Sequence, residues 1–490
     1  MAASSEQLQA QAIAGENKQL DQARANLLAP SGANSYEMSQ RFLESLPQGT
    51  NTTLDKALLQ APSVSQDSAA SGSLHVRNEH ANLQYRINGI MLPDGVGAFG
   101  QIIDTGIVGS MALITGALPV QYGLRTAGVL DIQTKANAFD NSGNVSVYGG
   151  SHGTFTTSAD YGGTIGQTQY YVSGRYFGSN VGIENPTSAY NAIHDNTSQE
   201  RGFLYLSTLI DPQSRLTLIS GVSNGHYQIP NNPGQTPAFT ASGMSDFDSS
   251  LLNERQTEFN QFNVLAYQHS GDNGLDYQIS YFNRYSQLHF LPDPIGDLIF
   301  NGVASDVYRQ SFVNGIQEDT SYRLGFAHTL KFGFGISGER TLVNNSSLVL
   351  PTDDTGAQTP DTTPSSIFDS STKTGYLFNA YAGDEWRVTN QLTVSAGLRF
   401  DQMWQYVDAN QLSPRVSVTW KPMDGTTFHA GYSRNFTPPE QTLAAPSNLA
   451  LVQNSTAQPA VSQNDPVLPE RSNVFDVGVV QKVYAVPGLE

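Results

Sequence analysis

From about residue 140 onward, apolar residues recur at every second position, in segment after segment. In 391–401, Leu392, Val394, Ala396, Leu398 and Phe400 share one face, while Thr393, Ser395, Gly397 and Arg399 take the other. Leu330, Phe332, Phe334 and Ile336 repeat the pattern, as do Tyr277, Ile279 and Tyr281, then Val416, Val418 and Trp420, then Phe475, Val477 and Val479. Side chains alternate across a strand with period two, so this spacing commits the chain to strands with one apolar face. No segment beyond residue 140 has convincing helical spacing. Charged residues make up only 14%, their place taken by 45 Gly, 22 Tyr, 23 Phe and uncharged polar residues. So aromatic-rich a chain is not disordered. It also lacks the run of about 18 apolar residues that a membrane helix needs. A net charge of −18 disfavours nucleic acid as a partner. The absence of cysteine excludes disulfides, thiolate metal sites and thiol nucleophiles.

Connector lengths say more than any one strand. Asp211-Pro-Gln-Ser, Gly271-Asp-Asn-Gly, Thr389-Asn and Pro422-Met-Asp-Gly are tight turns built from turn formers. Between them lie long polar connectors at 179–200, 225–257, 288–306, 342–373 and 437–471, with a brief one at 406–412. Short turns on one rim and long loops on the other are the layout of an outer-membrane β-barrel. The fold class expected is mainly β, a transmembrane antiparallel barrel of about 14 strands over 137–490. Trp386, Trp404 and Trp420 read as membrane-interface residues of its outer face. Before it, 36–136 reads as a small α+β unit. It has a short helix in 53–60 and strands at 83–87, 111–115 and 129–134. Residues 1–35 read as a polar tail, a weak helix or frayed, with no basic-then-apolar leader at the start.

Within these elements are several short stretches that resemble a known family. Residues 83–92 (LQYRINGIML), 111–119 (MALITGALP) and, most specifically, 121–135 (QYGLRTAGVLDIQTK) resemble the plug domain of TonB-dependent outer-membrane receptors. Residues 382–401, 412–422 and 430–440 are similar to barrel strands of that family, in the expected order. The resemblance implies an N-terminal plug filling a barrel of about 22 strands, wide enough to need one. It implies a receptor in the outer membrane of a Gram-negative-type envelope, bathed by outer-membrane lipid. Such a receptor binds a scarce solute, such as a metal chelate, at extracellular loops and plug. It imports the solute with energy from an inner-membrane TonB-type coupling protein, and uses no catalytic residues and no cofactor. Plug arginines of the family latch to barrel acids; Arg77 stands where the family has its "IRG", and Arg125 is the nearest candidate for the second. The chain departs from the family in three places. No ExxTVxV coupling box occurs in 1–35, Gln121 precedes the "YG" where an arginine is usual, and 110–114 is uncharged. About 14 strands and an ending at Pro487-Gly-Leu-Glu, with no terminal aromatic, lead to the expectation of a fragment, since open strand edges in lipid leave backbone groups unsatisfied.

Other motifs carry less. Gly95-Val-Gly-Ala-Phe-Gly100 matches the dinucleotide fingerprint, but no acid follows about 20 residues on and no βαβ unit surrounds it, so it reads as a loop. Gly149–Gly153 and Gly221–Gly225 match the nucleophile elbow by chance in a Gly- and Ser-rich β-region. His75 and His80 are close enough to touch a metal or chelate, against a plain surface reading. Asp353, Asp354, Asp361 and Asp369 make one loop acidic, which admits a cation or mere solvation. His80, Tyr227 and Phe239 are the candidate ligand-facing residues, because loops on a rigid scaffold carry function. Two other readings stay open: a passive porin, against which the plug-like segment speaks, and an exported adhesin or carbohydrate-binding protein, against which the apolar outward faces speak.

Overall fold

A computed structural model describes residues 5–483 apart from 30, 67–73, 81, 98, 101, 137, 447 and 462, with backbone alone for 5–11. The start and the end of the chain, including Pro487–Glu490, lie outside the described residues. Fourteen strands form one antiparallel sheet in strict sequence order. They are β9 (Ser142–Gly149), β10 (Phe155–Ile165), β11 (Thr168–Ser179), β12 (Thr197–Asp211), β13 (Ser214–Gln228), β14 (Arg255–Ser270) and β15 (Leu275–Leu291). They continue as β16 (Val303–Leu324), β17 (His328–Val349), β18 (Ser365–Arg387), β19 (Leu392–Trp404), β20 (Asp408–Met423), β21 (Thr426–Thr437) and β22 (Glu470–Gln481). Among the described residues β9 and β22 do not pair with each other. Turns at 166–167, 212–213, 271–274, 325–327, 388–391 and 424–425 share one rim. Loops 180–196, 229–254, 292–302, 350–364 and 438–469 share the other, with the short 150–154 and 405–407 among them.

Period two places Phe332, Phe334, Ile336, Leu398, Val416, Val418, Trp386, Trp404 and Trp420 on the exposed outer face. Trp386 stacks against His328 near the short-turn rim, with ring centroids 5.9 Å apart. Trp404 ends β19 at the opposite rim. One helix does occur beyond residue 140, against the sequence expectation. It is a single turn in the loop after β15 (Gly296–Asn301), closed by Gly302 in the left-handed conformation. Six residues are too few for helical spacing to register.

The sheet curves around an inner unit. Its core is a five-stranded sheet ordered β1-β7-β8-β5-β6, from β1 (Asn34–Ser39), β5 (Leu83–Ile87), β6 (Ile90–Met91), β7 (Val108–Thr115) and β8 (Gly128–Thr134). A small sheet of β2 (Val64–Gln66), β3 (Leu74–Val76) and β4 (Glu79–His80) lies beside it, with helices α2 (Gln40–Ser45) and α3 (Leu54–Leu58). Buried Met38, Leu58, Ile87, Met111, Leu130 and Ile132 join inward-facing Phe203, Phe262 and Phe282 of the wall in one apolar core. Inner unit and wall therefore share their largest hydrophobic cluster, and burial of that surface holds them together.

The N-terminal segment is more ordered than a frayed tail. Residues Ser5–Leu27 form helix α1. Ile13, Asn17, Leu20, Ala23, Arg24 and Leu27 are buried at helical spacing against the wall near its short-turn rim. Arg215, buried at the start of β13, donates to Asp21 at 2.6 Å and to Gln268 at 2.8 Å, and Gln268 in turn donates to the Leu20 carbonyl. Arg24 pairs with Asp21 at 3.2 Å and donates to Gln133 of β8 at 2.9 Å, tying wall, helix and inner sheet together. Spacing alone gives no more than a weak helix here, because two of these six buried residues, Asn17 and Arg24, are polar. Replacing Arg215 with Gln leaves Asp21 with Arg24 as its cation but without the wall's, a loss of about 1.5–3 kcal/mol for a charged hydrogen bond. We expect amide exchange in 13–27 to rise at least tenfold in R215Q, with 108–134 unchanged, measured by mass spectrometry in detergent.

Candidate functional site at the loop-bearing rim

Barrel-like wall and inner unit meet in a cavity of about 530 Å³. It is bordered by the upper ends of β9 to β12, by Arg284 of β15, by Glu440 and by the inner unit's apex loop, 92–103. Tyr85, Phe99, Tyr148 and Phe177 give it aromatic surface; Arg175, Arg201 and Arg284 give it guanidinium groups. Arg175 is committed: it pairs with Asp104 at 2.5 Å and donates to Asn51 at 2.8 Å. Arg201 has only the neighbouring Gln199 side-chain oxygen as a hydrogen-bond partner, and its Nε is buried without an acceptor among the described residues. The Nε of Arg284 is in the same state.

The apex loop is pinned from beneath by the wall. Arg284 donates to the Pro93 carbonyl at 2.7 Å, and Val96 N donates to Ser286 Oγ at 2.9 Å. Phe99 N and Gly100 N donate to the two carboxylate oxygens of Glu258 at 3.0 and 2.9 Å. The glycines of Gly95–Gly100 are there because the wall comes so close. A Cβ on Gly95 would lie 2.4 Å from Arg284 Cζ, and one on Gly100 would lie 2.7 Å from Glu258 Oε2. The motif that resembles a phosphate cradle holds a carboxylate of the same chain.

The predicted site residues fall in different places. Arg77, in the left-handed conformation at φ 53°, pairs with Asp476 of β22 at 3.1 Å, so it does bridge inner unit and wall. Among the described residues Arg125 pairs with no wall acid. Its carboxylate partner is Asp94, in the apex loop that Arg284 bends over it, and its contact with the wall side is the Pro438 carbonyl at 3.1 Å. Tyr227 is not a loop residue but part of β13, 3% exposed, its ring 5.3 Å from that of Phe99. Phe239 packs in a small core of the long loops with Ala241, Leu298, Ile299 and Leu350, away from the cavity. His80 lies on β4, exposed, its Nδ1 2.9 Å from His75 Nε2. Among the described residues no group of three or more His, Cys, Asp or Glu is placed to hold a metal. Asp353 and Asp361 accept hydrogen bonds from their own turns, and Asp369 accepts from Asn448 N. These acids brace loops.

Sequence reasoning missed the principal contacts between the two units, which run from wall arginines to inner-unit backbone. Arg415 donates to the carbonyls of Leu118, Pro119 and Tyr122; Arg399, paired with Asp401 at 2.8 Å, donates to Val120 O. The signal available was the run of inward-facing arginines on the strands; their acceptors left no mark, because a carbonyl belongs to every residue. The loops above are knitted by backbone bonds from Ala238 and Phe239 to Ile299 O, and by Thr456, whose hydroxyl binds Gly302 O and accepts from Leu350 N. Beside this core Asp297 is almost fully buried. Burial, and then a hydrogen bond and charge repulsion with Glu254, push its carboxyl up to about 8.

A sequence profile described as TonB dependent receptor-like, beta-barrel, matches residues 223–489, more than half of the chain. The chain belongs to the TonB-dependent receptor family. No curated protein matches it by sequence. Solved structures with the same fold include the ferripyoverdine receptor FpvA of P. aeruginosa, bound to heterologous pyoverdines. It is 14% identical with a TM-score of 0.67, over 92% of this chain and 60% of that one. The ferric yersiniabactin uptake receptor FyuA from Yersinia pestis gives 12%, 0.66, 93% and 70%. The unliganded ferric citrate transporter FecA gives 16%, 0.65, 93% and 68%. An FpvAI–pyocin S2 complex gives 14% and 0.64, over 84% of this chain and 58% of that one. The chain thus spans about 60% of the length of the FpvA structures. At these identities the likeness is one of fold, an antiparallel wall around a small α+β unit, as expected from the sequence. The printed names of these neighbours are those of receptors and a transporter.

Two outcomes follow from this geometry. Arg415→Met strips the carbonyls of Leu118, Pro119 and Tyr122 of their donor, at a cost of about 3 kcal/mol. Protease cleavage within 110–126 should then appear at a urea concentration that leaves wild type intact. Asp297 has its pKa raised by folding, so its contribution is complete below the ordinary carboxylate range near 4 and is lost as pH rises through about 8. Protection of 292–302, taken relative to the intrinsic base-catalysed exchange rate at each pH, should therefore fall between pH 6 and pH 9, and Asp297→Asn should flatten that fall.

Proposed function

We propose that the chain works as an outer-membrane receptor. It takes a scarce solute of metal-chelate size into the cavity beneath the long loops and passes it inward past the inner unit, which acts as its plug. The observation that carries this reading is the cavity itself. About 530 Å³ of space lies between wall and inner unit toward the loop-bearing rim, bordered by Val181–Ile183 of one long loop, Glu440 of another and the apex loop of the inner unit, with Arg201 in its lining. Pockets of this size, with aromatic walls and a few placed polar groups, suit small solutes. The outer face supports a membrane location, with exposed Phe332, Phe334, Ile336 and Leu398 between Trp386 and Trp420 near one rim and Trp404 at the other. The neighbours' printed ligands, pyoverdine and ferric citrate, favour an iron chelate over a neutral sugar. The proposed latches are Arg77 with Asp476 and, through the apex loop, Arg125 with Asp94. Movement of the plug would be driven by a TonB-type inner-membrane protein.

The test is direct binding. Full-length chain in detergent should bind radiolabelled ferric citrate saturably in equilibrium dialysis, and Arg201→Gln should weaken binding about tenfold, the worth of one charge-assisted hydrogen bond. Saturable binding that R201Q leaves unchanged would move the site elsewhere. Binding of neutral oligosaccharide in its place would remove the chelate reading.

A further inference from the structure

The apex loop 95–100 presents backbone N–H groups to a carboxylate, and that carboxylate is its own. Glu258, 2% exposed, is held by Phe99 N and Gly100 N through separate oxygens. Its Oε1 also accepts from Gln256 Nε2 at 2.6 Å. Successive amides that converge in this way form an anion-binding concavity, the device that Gly-rich phosphate loops use. Two features show that the arrangement holds more donors than Glu258 consumes. The hydroxyl of Tyr227 is buried without a partner among the described residues. It crowds the same spot as the carboxylate, since a Cβ on Gly100 would lie 3.0 Å from it and 2.7 Å from Glu258 Oε2. Arg284, packed under Gly95, carries the unpaired Nε noted above. Phe99, Gly100 and Arg284 all border the solute cavity. An unsatisfied buried donor is costly, so one beside the carboxylate and one beneath Gly95 mark a place along the loop for additional acceptor oxygens.

We propose that loop 95–100 is a carboxylate receptor, occupied by Glu258 when the cavity is empty, and that an anionic oxygen group of the bound solute takes Glu258's place. The exchange is non-covalent and conserves charge on the loop. Displaced, the Glu258 side chain has the Tyr227 hydroxyl within its surroundings as a donor. Solute entry would thereby release the strongest hold of β14 on the inner unit's apex while keeping the loop's amides paired. This rests on the proposed receptor function for its solute, which it narrows to chelates bearing a carboxylate or similar oxyanion.

Glu258→Ala and Glu258→Gln separate this from a merely structural latch. In the full-length chain in detergent, E258A should raise amide exchange of 92–103 about tenfold, in line with loss of a charged hydrogen bond. Millimolar sodium acetate should restore it, while sodium chloride at equal ionic strength should not. Ferric citrate should bind E258A about tenfold more tightly than wild type, because the internal competitor is gone. E258Q, which keeps one acceptor oxygen and lacks the charge, should fall between them and stays informative if E258A does not fold. Exchange in E258A or E258Q that acetate leaves unchanged overturns the carboxylate receptor. Citrate affinity that falls or stays level in both variants overturns the competition. The acetate result concerns the loop alone, so it stands or falls independently of whether wild-type chain binds ferric citrate.

Discussion

Everything in this molecule depends on how a wall of strands holds an object inside it; beside the apolar core the two share, the polar part of the answer is guanidinium to backbone carbonyl. Arg415 alone takes the carbonyls of Leu118, Pro119 and Tyr122, Arg399 takes Val120, and Arg284 takes Pro93. A buried guanidinium is expensive unless its donors are used, and a buried turn is expensive unless its carbonyls are. Each offsets part of the other's penalty, although Nε and Nη2 of Arg415 and Nε of Arg284 stay unpaired among the described residues. The same pairing explains why 117–124 keeps an irregular path inside the wall without a regular ladder to satisfy it. Where the inner unit offers N–H groups instead, at the apex loop, the wall answers with a carboxylate, Glu258.

This polarity has a geometric consequence. A carbonyl carries no side-chain rotamer, so an arginine that grips one fixes the main chain itself. The apex loop is fixed three times over, by Arg284, Ser286 and Glu258, and it borders the cavity on one side and the wall on the other. A solute that touches the loop therefore touches the wall's grip directly, with no flexible linker between recognition and restraint.

The wall was legible in the sequence because period two is a property of the chain alone. Leu392 to Phe400 needs no partner to announce a strand, and Asp211-Pro-Gln-Ser needs none to announce a turn. The inner unit was legible through its strands at 83–87, 111–115 and 129–134. Helix α1 was legible only as a weak helix set beside a frayed tail, since Asn17 and Arg24 sit on its buried face and mask the apolar stripe. The site was legible only in part. Arg77 could be placed, but the partner of Arg125 depended on a loop folding back over it. Tyr227 and Phe239 were read as loop aromatics because nothing local says that β13 runs on to Gln228, or that the loops above build a core around Ile299. Gly95–Gly100 was visible as a motif and opaque as chemistry, because its anion lies 158 residues away.

Helix α1 also sets a mechanical order. Its apolar hold on the wall is the small cluster of Ile13, Leu20 and Leu209, supplemented by the polar bridge from Arg215 to Asp21, whereas the inner sheet is joined to the wall through the largest apolar core of the molecule. Tension applied from the N-terminal end loads these attachments in series, the helix first. Hydrogen bonds and ion pairs near a rim exchange readily for water; a broad hydrophobic contact does not. The segment Ser5–Leu27 is thus the first link to part, lengthening as it unwinds from about 1.5 Å to about 3.4 Å per residue, and it yields tens of ångströms of slack before strain reaches Leu118 and Tyr122.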